Sequence, residues 1–224
     1  MENDLEAMDV FFNRIAPNYD KLHTANIDGG LQSKNIIASF LPPQTDTLID
    51  LGIGTGLELE EIFKLFPNIK ITGIDIADKM LLRLQEKYPD KNLQLYNASY
   101  LDCDFGQNLY DAAISVMTFH HYDHKTKIDL YSRIKKCLKE QGIYIECDYM
   151  LSEEEYENAE EIEEANFLKF TKLKNDLGIT DNKKYHFDTP CTVSNQKNML
   201  LKAGFKSAEE VWRTKNTVIL IAQS

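Results

Sequence analysis

The segment Leu48-Ile49-Asp50-Leu51-Gly52-Ile53-Gly54-Thr55-Gly56, with Asp75 nineteen residues further on, constrains the fold more than any other part of this chain. A short apolar run ends in an acid and opens into a glycine-rich turn. Leu57 to Phe63 then has helical spacing, and a second apolar run, Ile69 to Ile74, leads into Asp75. Strand, glycine turn, helix, strand, acid is the order in which a doubly wound α/β fold holds a nucleoside. The backbone comes close at the glycines, and a carboxylate at the second strand tip accepts from the ribose hydroxyls. A dinucleotide fingerprint counted from Gly52 needs its third glycine at position 57, where the bulky Leu57 stands. A nicotinamide dehydrogenase is therefore the weaker reading.

The alternation continues along the chain. Leu93 to Tyr96, Tyr110 to Val116 and Ile143 to Cys147 read as the third, fourth and fifth strands. A helix over 123–139 sets Ile128, Tyr131, Ile134 and Leu138 on one face and stops before Gly142. Helical stretches at 3–16 and 28–40 precede the first strand and are set off by Pro42-Pro43. After the fifth strand, Ser152 and Glu155 have capping-box spacing and open a helical region to about Leu177. Eight glutamates between 153 and 164 make that region acidic, a solvated face before anything else. Residues 178–191 read as a loop crossing the site, 192–203 as a helix, and Phe205 to Trp212 with Thr217 to Ala222 as a final hairpin. The expected architecture is a Rossmann-like seven-stranded, mostly parallel sheet with an antiparallel edge strand. Residues 1–45 form a helical cap, and 46–224 form the main domain with 150–191 inserted as a helical lid.

Composition narrows the partners. A formal charge of −11 and short basic clusters, such as Arg133 to Lys136 and Lys183-Lys184, argue against nucleic acid. No run of eighteen apolar residues offers a membrane span. The acidic start Met1-Glu2-Asn3-Asp4 lacks a signal-peptide profile, so a cytoplasmic protein is expected. Cys103, Cys137, Cys147 and Cys191 are too scattered for a disulfide framework or a zinc site.

Beyond this turn, other segments point the same way. Phe12-Asn13-Arg14-Ile15-Ala16-Pro17-Asn18-Tyr19-Asp20, Asn97-Ala98-Ser99 and Met117 to Tyr122 stand in matching order around it. The chain thus resembles the class I S-adenosylmethionine-dependent methyltransferases, especially the quinone-type and small-molecule enzymes, over roughly residues 10–222. The resemblance implies S-adenosylmethionine as cofactor and S-adenosylhomocysteine as product. It implies cofactor contacts from Tyr19, Asp50, Gly52, Gly54, Thr55, Gly56, Asp75, Ile76, Asn97, Ala98 and Val116. Asp50 suits the ammonium group. Asn97 stands where many relatives carry an aspartate that accepts from the adenine amino group, and the backbone N–H after it serves a ring nitrogen. In the same family, insertions after the fifth strand cover the active site or build a homodimer contact.

Methyl transfer from a sulfonium is an in-line displacement that needs a base only where the small-molecule acceptor is protonated. His120 and His121 follow the fourth strand at the edge where ligands gather, as a base or anchor, or else as packing and helix-start residues. Tyr149 and His186 are candidates for the acceptor side; Asp148 reads equally as a turn residue. No metal is expected, because adjacent histidines diverge in a strand and no third ligand has a suggestive spacing. Two alternatives stay open. The segment Ser194 to Ala222 also resembles the end of carboxy-S-adenosylmethionine synthases, although no arginine lies between Cys147 and Trp212 to hold the added carboxylate. The other is a non-catalytic S-adenosylmethionine-binding protein.

Overall fold

The computed structural model describes residues 5–181 and 183–224. Its sheet has seven strands in the order β3-β2-β1-β4-β5-β7-β6. In the chain these are β1 Thr47–Leu51, β2 Lys70–Asp75, β3 Leu93–Asn97, β4 Tyr110–Val116, β5 Leu138–Tyr149, β6 Ser207–Thr214 and β7 Thr217–Gln223. β1 to β5 pair in parallel, and β7 runs antiparallel between β5 and the outermost β6. The order reverses between β1 and β4, where a doubly wound sheet opens a crevice at its strand tips.

Parallel strands are covered on both faces and so read as nearly continuous apolar runs. Period-two alternation then divides them between two cores. Ile49, Leu51, Ala113 and Tyr144 join one, and Leu48, Ala112, Ile114, Ile143 and Ile145 join the other. The first core is closed by α6 (His124–Cys137) and α8 (Val193–Lys202), the second by α3 (Gly30–Phe40), α4 (Leu59–Leu65) and α5 (Asp78–Lys87). Two shorter helices, α1 (Met8–Ile15) and α2 (Tyr19–Asn26), lie at the crevice end. The insertion supplies α7 (Ala159–Asp176). Among the described residues no helix is long and apolar enough to cross a membrane.

Three boundaries differ from the sequence expectation. The stretch 19–26 is helical although its polar residues give no stripe, because Tyr19 and His23 turn inward. Ser152 does not open a helix. Its Oγ accepts from the Glu154 N–H in a turn, and Leu151 bridges to Thr192, so tertiary pairing overrides the local capping signal and α7 starts at Ala159. Gly142 does not mark the end of α6, which stops at Cys137. The glycine sits inside β5, in an irregularity where Tyr110 pairs with Leu138 and Ala112 with Ile143.

Two segments far apart in the chain, Glu6–Met8 and Lys184–His186, meet over the crevice. Ala7 bridges Tyr185, with Met8 N–H donating to Lys184 O at 2.8 Å and His186 N–H to Glu6 O at 3.0 Å. His186 stacks on Phe11 with centroids 3.7 Å apart.

Candidate active site

Gly52, Gly54 and Gly56 all adopt positive φ, so the turn after β1 curls back on itself. A Cβ on Gly52 would stand 2.6 Å from Thr118 Oγ1, whereas one on Gly54 would meet only Gly52 O, at 3.9 Å. The space beside Gly54 is therefore open to a ligand. Asp75 spans it from the next strand: Oδ2 accepts from Gly54 N–H and Oδ1 from Ala77 N–H, each at 2.8 Å. Burial raises the Asp75 pKa to about 6 against the pull of those two N–H groups, so the carboxylate is ionised at neutral pH with lone pairs to spare.

The cavity over this turn is lined by Gly52, Gly54, Asp75, Ile76, Met80, Ser99 and Tyr100, and roofed by Met8, Phe12 and Tyr19. Of the expected cofactor residues, Tyr19, Gly52, Gly54, Asp75 and Ile76 line it. Thr55 lies behind it, its hydroxyl bonded to the Asp20 carboxylate, which is also paired with Lys87 at 2.6 Å. Gly56 and Asp50 are in the wall rather than the lining. Asp50 is fully buried, and among the described residues neither of its carboxylate oxygens has a hydrogen-bond partner; Glu58 Oε1 is orphaned in the same way. Such atoms call for a cation or a proton, and the cofactor brings an ammonium. The donor set and the open glycine turn thus fit S-adenosylmethionine.

Three residues expected to contact the cofactor, Asn97, Ala98 and Val116, are not in the lining of this cavity. The Asn97 side chain is exposed and donates to Asp75 O and Ile76 O, and Ala98 N–H is taken by Asp75 O at 3.0 Å. Both are used to hold β2 to β3, and Ser99 and Tyr100 form the wall instead. Val116 packs into the second core, and Met117, at φ 52°, turns the chain into the cavity.

A second cavity adjoins the first and shares Phe12, Tyr19 and Met117 with it. Its other walls come from Phe11, Ile15, Leu22, His23, His120, His121, His186 and Asp188. His120 and His121 lie on a single 3-10 turn rather than a strand, so their rings do not diverge; the centroids are 4.0 Å apart. His120 Nδ1 sits 2.5 Å from Asp148 Oδ1, while Asp148 Oδ2 accepts from the Phe119 and His120 N–H groups at 2.8 and 3.0 Å. Asp148 is thus the aligning partner of His120. Burial opposes charge on His120, but the adjacent Asp148 carboxylate outweighs it and holds the pKa above the ordinary 6.5. For His121, burial and then the charge of His120 lower the pKa to about 4, so it is neutral.

His121 Nδ1 lies 3.1 Å and His120 Nε2 3.6 Å from the same Asp188 oxygen. Asp188 is the third group that the spacing did not reveal, since it stands 67 residues beyond His121. Tyr149 lines neither cavity; its hydroxyl is bonded by Asn216 at 3.1 Å and its ring stands edge-on to His120, centroids 6.5 Å apart. Asp148 and Glu58 are the residues that sequence reasoning undervalued. The signal for Asp148 was two-residue periodicity along β5, which puts it on the face of Tyr144 and Glu146.

Residues 48–142 match the family model described as a methyltransferase domain. Among curated relatives, the carboxy-S-adenosyl-L-methionine synthase of Nautilia profundicola is 27% identical over 99% of this chain and 93% of its own length. The demethylmenaquinone methyltransferase of Chlamydia felis is 32% identical over 35% of this chain and 34% of its own. Among solved structures, human N-acetylserotonin methyltransferase in complex with S-adenosylmethionine superposes with a TM-score of 0.67 at 15% identity. That superposition covers 95% of this chain, which spans only 56% of the human protein's length, and what it establishes is the fold. Residues 48–142 thus carry a methyltransferase domain on a fold shared with S-adenosylmethionine-dependent methyltransferases, and the donor set fits S-adenosylmethionine as the cofactor.

Proposed function

We propose that the enzyme moves the methyl group of S-adenosylmethionine to a hydroxyl of a small, largely apolar molecule held beside His120. One observation carries this reading: a cavity with a carboxylate-aligned imidazole shares Phe12, Tyr19 and Met117 with the glycine-lined cavity. The cofactor supplies an electrophilic methyl on sulfur. The protein's part is to align the acceptor oxygen with that methyl, exclude water, and take up the hydroxyl proton. With Nδ1–H directed at Asp148, neutral His120 presents Nε2 as the acceptor of that proton. The imidazolium that results is stabilised by Asp148, whose own oxygens are already held by three backbone N–H groups. His121 and His186 are walls of the acceptor side in this reading, and Tyr149 is not part of it. Residues 1–45 and the insertion 150–191 serve as its cover. The exposed Leu168 and Ile162 on α7 support a contact surface for a second copy. Four free thiols support a cytoplasmic setting.

Incubation with S-adenosylmethionine and a panel of phenols tests the proposal. S-adenosylhomocysteine and a methyl ether should form, and His120→Ala should prevent both without loss of cofactor binding. Turnover unaffected by that substitution would refute the base. A second reading, carboxy-S-adenosylmethionine synthesis, is favoured by the relatives that match nearly end to end. Against it, none of the four arginines, Arg14, Arg83, Arg133 and Arg213, lines either cavity. Mass analysis of the cofactor released from purified protein separates the two, because only the second yields the carboxylated form.

A further inference from the structure

A cluster of ligating side chains lies outside both cavities, where the insertion meets α6. His124 is the first residue of α6, set there by the Asp123 cap, whose carboxylate accepts from Thr126 N–H at 2.8 Å. Glu163 and Phe167 are four residues apart on α7 and so share a face of that helix. The Phe167 ring stands edge-on to His124, with centroids 5.0 Å apart. Cys191 comes from the segment leading into α8, its carbonyl accepting from Leu151 N–H at 2.9 Å. No short sequence spacing links the three, which is why the cysteines read as scattered. In the fold, a nitrogen of His124, an oxygen of Glu163 and the sulfur of Cys191 all lie within 4.8 Å of one another. Glu163 is 2% and Cys191 1% exposed; His124 is the partly open member.

The groups around the cluster orient it. Glu163 Oε2 accepts from Thr192 N–H at 2.7 Å, and Asn195 Nδ2 reaches Oε2 and Oε1 at 3.2 and 3.4 Å, with Oε1 turned to His124 Nε2. Lys127 follows His124 by three residues on the same face of α6. Its Nζ donates to Cys191 Sγ at 3.0 Å and to Gln196 Oε1 at 3.2 Å. An ammonium donor favours the thiolate, and donors of this kind support metal-bound sulfur from outside. We propose that His124, Glu163 and Cys191 hold a zinc ion, with water completing four-coordination on the open side of His124. Imidazole with thiolate selects zinc over magnesium or calcium, which take oxygen. Ligands of a tetrahedral zinc stand roughly 3.3–3.8 Å apart for bonds of about 2.0–2.3 Å, so small rotations of the three side chains seat it. The charges balance: the thiol proton leaves to solvent, and thiolate and carboxylate neutralise the two positive charges. The Lys127 ammonium opposes the ion by charge but leaves the other lone pairs of the sulfur free. The ion fastens α6, α7 of the insertion and the segment ending at Cys191. That segment walls the acceptor cavity through His186 and Asp188, and its Thr189 N–H donates to His120 O at 2.7 Å.

Titration of chelator-treated, tag-free protein with Co²⁺, which takes the ligands of zinc and absorbs visible light, reads the site directly. One equivalent should bring a thiolate-to-cobalt charge-transfer band and the intense visible bands of a four-coordinate ion, and Zn²⁺ should bleach both by displacement. Cys191→Ser should lose the charge-transfer band and Cys103→Ser should keep it. His124→Ala, at the partly exposed ligand, keeps the test open if Cys191→Ser fails to fold. It should weaken Co²⁺ by at least about 10-fold, since losing a ligand costs no less than losing its outer support. Zn²⁺ should also slow proteolysis within 150–191 in the wild type and not in His124→Ala. A wild-type chain without the charge-transfer band overturns the proposal and leaves His124 and Glu163 as an ion pair. Visible bands without charge transfer overturn it too, by placing the ion at the other cluster of ligating groups, His120, His121 and Asp188. So does an undiminished band in folded Cys191→Ser, or unchanged affinity in His124→Ala.

Discussion

The cofactor half and the acceptor half of this site are built by opposite means. Around Gly54 and Asp75 the floor of the first cavity is main chain and one strand-tip carboxylate, within twenty-four residues from Gly52 to Asp75. Around His120 the second cavity is walled by side chains from α1, α2, the turn after β4 and the segment 186–188, with the tip of β5 behind the imidazole. Backbone cannot be exchanged residue by residue, whereas side chains can. The first half therefore tolerates few changes and serves a single ligand; the second can be retuned without disturbing the first. This division explains why the cofactor is easier to assign than the acceptor.

Substitutions break or sharpen that contrast. The largest effect is expected from Gly54→Val, which fills the open space and forces a β-branched residue to φ 54°. S-adenosylmethionine binding should disappear from calorimetry while far-ultraviolet circular dichroism still reports a folded sheet. Next, His120→Ala and Asp148→Asn should lower kcat by about 10²- to 10⁴-fold with cofactor Kd unchanged within about threefold. A matching loss of cofactor affinity would mean that the two halves are not separable. Asp75→Ala should do the reverse, weakening the cofactor by about 10- to 100-fold through loss of a charge-assisted acceptor, with any residual kcat at saturation much less affected. Smallest is Phe11→Ala, which removes the ring stacked on His186 and should raise the acceptor KM by about 2- to 10-fold.

The pH profile sharpens the contrast further. His120 is a base only when neutral, and its pKa is held above 6.5 by Asp148. Turnover should therefore rise with pH through a midpoint above that value. Asp148→Asn removes the carboxylate that favours the charged form, so whatever activity survives should keep its base to lower pH, with the acid limb displaced downward. An unmoved limb would assign the titration to another group.

What could be read from the sequence follows the same division. The β1 turn, Asp75 and the alternation of strands and helices were legible because each depends on neighbours a few residues away. The tie of the Asn97 side-chain NH2 to Asp75 O and Ile76 O was not legible, because spacing does not show which strand an exposed amide at a strand end will hold. The pairing of His120 with Asp148 joins residues 28 apart, and Asp188 lies further still, so only the closed sheet reveals them. Glu58 reads as one more solvated acid at a helix start until the turn folds back and buries it.

The bridge between Ala7 and Tyr185 ties down the cover of the two cavities. It holds the roof of both cavities with two main-chain hydrogen bonds, Met8 to Lys184 and His186 to Glu6. Each is worth about 1 kcal/mol net, so they can part and reform without disturbing the sheet beneath. A roof stitched at one point from Glu6–Met8 and Lys184–His186 couples two distant stretches of chain, so a change that loosens either one loosens the cover of both cavities together.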